Sequence, residues 1–190
     1  MSFLNEKTKE INYKVLYYGP ALAGKTTTLR QIYQKINQKS KGQIISVADT
    51  NNNTLYFDFI PLTLGKVKQY QVHLHLYSVP DDLAYKSAQK LIAKGIDGVV
   101  FVADSQLEKM EANLESMKKL QEILIHEGVD LGQIPMVIQY NKRDLPEAVP
   151  LAEMQKLLNP NQNAEFETIA TSGTGILETL QEISKKVLKS

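Results

Sequence analysis

Gly19-Pro20-Ala21-Leu22-Ala23-Gly24-Lys25-Thr26 fits the spacing G-x-x-x-x-G-K-[ST], whose residue types suit one ligand, a chain of phosphates. Glycines let the backbone curl round anionic oxygens, and the amides that open the next helix point at negative charge. Gly19, Ala21, Leu22, Ala23 and Gly24 are therefore candidate cradle residues, with Thr27 just inside the helix. Lys25 is placed to reach β- and γ-phosphates, and the Thr26 hydroxyl to meet Mg²⁺. A second group, Asn141-Lys142-Arg143-Asp144, ends an apolar run. A carboxylate such as Asp144 accepts two N–H groups, from N1 and N2 of guanine, which adenine does not supply. The Asn141 amide and the Lys142 stem would flank the ring. "ETIAT", residues 167–171, adds a loop that presents the Ala170 amide to guanine O6, with Thr171 beside it. Four residues of the form N-K-x-D are weak alone; after a phosphate loop they point to guanine.

These groups need a scaffold that brings strand ends together. Residues 11–19 read as a strand running into a glycine turn, and residues 24 to about 38 as a helix with Leu29, Ile32, Tyr33 and Ile36 at helical spacing. "NTLYFDFIPL" and "KQYQVHLHLYSV" both alternate around "TLGK", which predicts an antiparallel hairpin. Residues 95–105 and the run "IPMVIQY" are almost wholly apolar, as strands buried on both faces are. Between them a long helix sets Met110, Leu114, Met117, Leu120 and Leu124 on one face. A short strand at "AEFETIAT" and a terminal amphipathic helix follow. Repeated β–α units imply an α/β fold: a mostly parallel six-stranded sheet with one antiparallel edge strand and helices on both faces. In such sheets ligands lie at the carboxyl ends of strands, so both motifs face one crevice.

The chain of 190 residues suits one domain over 1–190, and 43% hydrophobic content is enough for a core. A net charge of +1 gives no footprint for nucleic acid and no polybasic anchor. With no cysteine there is no disulfide and no thiolate site. The start "MSFLNEKTKE" lacks an apolar signal core, and no run is long enough to span a bilayer. The expectation is a cytoplasmic protein with no direct membrane insertion.

Taken together, "MSF", "YYGP…GKTT", "TLYFDF", "HLYSVP", "KGIDGVVFVADSQ…MEAN" and "IPMVIQYNKRDLP" resemble the Ras-like small GTPases, and most closely the bacterial MglA family. The matching pieces cover nearly the whole chain. The resemblance implies a Ras-like P-loop fold, GTP and GDP with Mg²⁺, and switch loops that read the γ-phosphate. It also implies partners: a Roadblock-type regulator of the MglB kind, response-regulator-like polarity proteins, and a role in cell polarity or gliding motility, with polar placement through those partners. Thr54 matches the switch threonine that meets Mg²⁺. Ser78 stands where the usual Walker-B aspartate is absent from this family, and Asp58, four residues beyond Thr54 on one strand face, is the candidate to replace it.

Four positions depart from the pattern, all round the terminal phosphate. The family resembles "VPGQ" where this chain has Val79-Pro80-Asp81-Asp82, so carboxylates replace a backbone-approach glycine and the water-orienting glutamine. Asn53 replaces the family's arginine, and Ala21 adds a methyl to the loop. A supplied arginine is worth about 10³–10⁵-fold in phosphoryl transfer. Asparagine brings no charge, and carboxylates oppose the charge already present. Lys25 and Thr54 remain as catalytic candidates, while Asn53, Asp81 and Asp82 occupy degenerate catalytic positions. Three readings follow: a switch with slow GTP hydrolysis, a pseudo-GTPase that recruits partners without turnover, and an interaction protein without nucleotide.

Overall fold

The computed structural model describes residues 3–48, 55–79 and 86–190. Its centre is a sheet in which alternation and burial agree. In β2 (Glu10–Tyr18), Val15 and Tyr17 face one side while Leu16 and Tyr18 face the other, all of them buried. β6 (Gly98–Asp104) and β7 (Met136–Asn141) are buried along their whole length, as their apolar runs require. β2 pairs in parallel with β5 (Tyr70–Ser78) on one edge and with β6 on the other. The parallel set continues through β7 to β8 (Ala164–Glu167).

The antiparallel hairpin forms, but its turn lies at Lys68 and Gln69 and not at "TLGK": β4 (Leu55–Val67) runs on through that stretch antiparallel to β5, with a bulge between Thr63 and Gly65 that absorbs the glycine. These are the six strands anticipated, in the order β4-β5-β2-β6-β7-β8. Two short antiparallel segments extend them. β3 (Ile45–Ala48) pairs with β4 at the edge, and β1 (Phe3–Asn5) pairs with the first residues of β2, ahead of the point where β6 takes over that edge.

Helices cover both faces. Leu29 and Ile32 of α1 (Lys25–Lys35) and Leu180, Ile183 and Val187 of α5 (Ile176–Val187) join Val15, Tyr17, Val100 and Val102 in one core. Ile92 of α2 (Lys86–Ala93), Leu120 and Leu124 of α3 (Met110–His126), and Met154 and Leu158 of α4 (Leu151–Leu158) meet Leu16, Tyr18, Phe101 and Tyr140 on the other side. The α3 face differs from its hydrophobic pattern. Leu114 is exposed, whereas Asn113 and Ser116 are wholly buried. The rotation brings Asn113 to the end of β6, where its side chain bonds the main chain of Asp104. Among the described residues no helix is long and apolar enough to cross a membrane.

Candidate functional site

The carboxyl ends of β2, β6 and β7 converge where sequence reasoning set both motifs. After Tyr18 the chain turns at Gly19, whose φ of 148° and approach to the Val102 carbonyl leave no room for a Cβ. At the far end of the loop Gly24 (φ 102°) lies against the Asn141 amide, so a side chain there would push the two motifs apart. α1 starts at Lys25 with no side-chain cap and no acidic residue in its first turn. Its opening amides therefore meet no carboxylate of their own helix and can serve an anion. The Lys25 ammonium is buried and donates to the carbonyls of Gly19 and Pro20, both at 2.7 Å. Leu22 holds the left-handed conformation at φ 63° and is 83% exposed at the mouth of the loop, beside the exposed Ala21.

One turn into the site, the Thr26 hydroxyl donates to Asp58 Oδ2 at 2.7 Å, and the Ser78 hydroxyl donates to the same oxygen at 3.0 Å. Asp58 and Ser78 are direct partners across β4 and β5, and Asp58 is only 1% exposed. A carboxylate is thus delivered to the threonine from β4, with the serine of β5 holding it. Asp58 is therefore a buried, hydrogen-bonded carboxylate and not a solvated residue of a strand edge. Among the described residues no group of three or more His, Cys, Asp or Glu could hold a metal unaided. That donor set suits Mg²⁺, which keeps water and phosphate oxygens and takes few protein ligands. Thr54, Asn53, Asp81 and Asp82 lie outside the described residues.

A cleft of about 200 Å³ opens beside the loop. Leu22, Gly24 and Thr27 line one side, Asn141, Lys142, Asp144 and Leu145 another, and Ala170 and Thr171 close it. Both motifs and the "ETIAT" loop therefore share a single concavity. Asp144 is exposed in it, and Lys142 sits at φ 65° with its stem along the wall.

Two details differ from the sequence reading. Asn141 is 2% exposed and its amide is engaged within the protein: its Nδ2 donates to the Ala23 carbonyl at 2.7 Å. Its Oδ1 accepts from the Ala170 amide at 2.9 Å and from the Thr168 hydroxyl at 3.2 Å. The Ala170 N–H is thereby directed at Asn141 instead of standing free for guanine O6. The reason is steric and electrostatic together: a buried amide must satisfy its polar atoms, and the phosphate loop and the β8–α5 loop offer complementary groups. Asn141 works as a strap between them.

The structure also brings in residues that motif reading passed over. Asp104, fully buried at the end of β6, forms an ion pair with the Lys142 ammonium at 2.5 Å, and that ammonium donates to Gln106 Oε1 at 3.1 Å. Its only signal in the sequence is a carboxylate closing an apolar strand. From α1, Gln31 and Lys35 donate to the carbonyls of Thr171 and Gly173, at 3.1 and 2.9 Å. Next to the strap, burial and the hydrogen bond to Glu165 hold the Tyr140 phenol far above its ordinary pKa, so it stays neutral.

A family model described as the ADP-ribosylation factor family matches residues 1–187. Over 188 residues the chain is 50% identical to the mutual gliding-motility protein MglA of Myxococcus xanthus, a match spanning 99% of this chain and 96% of that one. It is 27% identical over 186 residues to human ADP-ribosylation factor-like protein 4A, covering 94% and 84% of the two chains. ADP-ribosylation factor-like protein 6 of Caenorhabditis briggsae is also 27% identical, covering 95% and 88%.

Proposed function

The chain belongs to the ADP-ribosylation factor family, in its MglA-like branch of Ras-like GTPases and therefore of guanine-nucleotide-binding switches, and from that premise we propose a switch with slow GTP hydrolysis that governs cell polarity or motility through partner proteins. The observation that carries the binding half is the cleft of about 200 Å³ lined jointly by Gly24, Thr27, Lys142, Asp144 and Ala170. Phosphates sit on the α1 amides and Lys25, and the base lies between Leu22 and Lys142 with its N1 and N2 edge on Asp144. Thr26, Thr54 and Asp58 are the residues that would hold Mg²⁺, Asp58 by orienting the Thr26 hydroxyl, and the ion would supply charge neutralisation to the phosphates.

Slow turnover rests on the four departures in sequence. A terminal phosphate that meets Asp81 and Asp82 where an N–H and an amide belong, and Asn53 where a cation belongs, gains no stabilisation of the charge that spreads during transfer. Partners follow from the kinship with MglA, whose name assigns it to gliding motility. A Roadblock-type regulator and response-regulator-like polarity proteins read the switch loops, and the protein works in the cytoplasm and reaches the poles through them.

Two measurements test this. Chromatography of the supernatant from denatured, freshly purified protein should show GDP or GTP; empty protein that also fails to take up added GDP would sink the reading. Single-turnover hydrolysis of bound GTP should then be compared with the Asn53→Arg, Asp81→Gly, Asp82→Gln variant. The triple change should raise the rate by at least about 10²-fold, short of the full value of an arginine. No increase would show that the missing groups are not what limits turnover.

A further inference from the structure

We propose that Asp104, locked by Asn113, is a positioning residue for guanine: it holds the Lys142 stem flat as one wall of the base site. The inference rests on the nucleotide-binding reading above and adds the residues that set the dwell time of the base.

Lysine is a poor wall by default. Its stem is long and flexible, and ordering it costs rotamer entropy. Here both ends are fixed. The backbone of Lys142 is held in the left-handed region at φ 65°, a conformation that side chains with a Cβ adopt only when the surroundings impose it. The ammonium is fixed by Asp104 Oδ2 at 2.5 Å and Gln106 Oε1 at 3.1 Å. The stem between them lines the cleft opposite the phosphate loop.

The anchor is itself over-determined. Asp104 is fully buried, pairs with Asn141 across β6 and β7, and its Oδ1 accepts from the Gln106 amide at 3.1 Å. Asn113, also fully buried, accepts from the Asp104 N–H at 2.9 Å and donates to the Asp104 carbonyl at 2.7 Å. That double bond clamps the strand end to the first turn of α3. A buried carboxylate with a cation on one oxygen and an amide on the other is costly to build and costlier to break, because loss of the cation strands a charge. Nothing in the strand's own pairing requires it. Asp104 would be replaceable by any apolar residue if its work were only to end β6.

The roles of Asp144 and Asp104 separate cleanly. Asp144 reads the N1 and N2 edge, so it distinguishes guanine from hypoxanthine, which lacks the 2-amino group. A wall that meets the face of the base does not.

Release of GDP and of IDP should be measured by displacement with excess unlabelled nucleotide, for wild type and for Asp104→Asn, Gln106→Ala and Lys142→Met. Asp104→Asn should speed release of both by about tenfold, with the GDP-to-IDP ratio unchanged. Gln106→Ala, at a half-exposed residue outside the core, should speed both about threefold, and it keeps the test alive if Asp104→Asn fails to fold. The double variant Asp104→Asn, Lys142→Met should release no faster than Lys142→Met alone, since the carboxylate acts only through that lysine. Wild-type rates in both Asp104→Asn and Gln106→Ala would overturn the inference, as would additive effects in the double variant or a shifted GDP-to-IDP ratio. Wild-type protein that binds no guanine nucleotide would overturn the functional reading as well, which sets the two failures apart.

Discussion

Asp58 brings a carboxylate to Thr26 from β4, and its direct partner across the strands at the end of β5 is Ser78. The Thr26 and Ser78 hydroxyls both point at its Oδ2. On the proposed reading Asp58 would orient the hydroxyl that touches Mg²⁺, and partners of that kind are worth roughly 10–100-fold in metal affinity. In Asp58→Asn the shape and one acceptor survive while the charge goes. GDP release from wild type should accelerate when Mg²⁺ is chelated, and release from Asp58→Asn should already be fast and respond little to the chelator. An unchanged response to chelation in the variant would show that Asp58 only packs.

Elements explain what the sequence could and could not disclose. The G-x-x-x-x-G-K-T loop, the N-K-x-D group, the hairpin and the apolar strands are legible because local spacing carries their chemistry. Asp58 was reachable through strand periodicity, as the fourth residue beyond Thr54 in an alternating run. The Asn141 strap was not, because its partners at Ala23 and Ala170 are brought to it by tertiary packing. Nor was the rotation of α3: apolar spacing favours Leu114 inward, and the pattern has no means of valuing the two bonds of Asn113 to Asp104. The rotation leaves a cost at Ser116, which is fully buried with no hydrogen-bond partner for its hydroxyl among the described residues. Ser116→Ala should therefore stabilise the fold by about 1 kcal/mol. Thermal melts would register that as a rise of about 2–4 °C, and a fall would mean that the hydroxyl has a partner.

The open face of β5 makes a different prediction. His75 stacks on Phe59 with centroids 5.6 Å apart, and its Nε2 lies 2.8 Å from Asn12 Oδ1. Nδ1 is buried without a partner among the described residues, so a second proton there finds no acceptor among them. Burial first and the neighbouring His73 second lower the His75 pKa below its ordinary 6.5. A depressed folded-state value means the unfolded chain takes up more protons in that window. Stability contributed by His75 is therefore complete above the unfolded pKa and is lost as pH falls towards the folded one. Denaturant midpoints at pH 7.5 and 5.5 should differ more for wild type than for His75→Gln, and equal differences would remove His75 as the cause.

Across the whole molecule, one cleft gathers the start of α1, the end of β7 and the loop that leads into α5. Those segments come from the first, third and last quarters of the chain, and Asn141, Gln31 and Lys35 already cross-link them. A ligand seated there is bonded to the folded state alone, because no unfolded chain brings the three together. Binding then adds to global stability by mass action: at a free concentration of 1,000 times Kd, about 4 kcal/mol. For a domain of this size that corresponds to a rise in melting temperature of roughly 10 °C or more. GDP should produce it and ADP should not, because Asp144 finds two N–H donors only on guanine. Asp144 is exposed, so Asp144→Ala should melt at the wild-type temperature without nucleotide and lose most of the GDP-induced rise. A variant that keeps the full rise would move base recognition elsewhere in the cleft. One that melts early without nucleotide would make Asp144 a part of the scaffold, as Asn141 is.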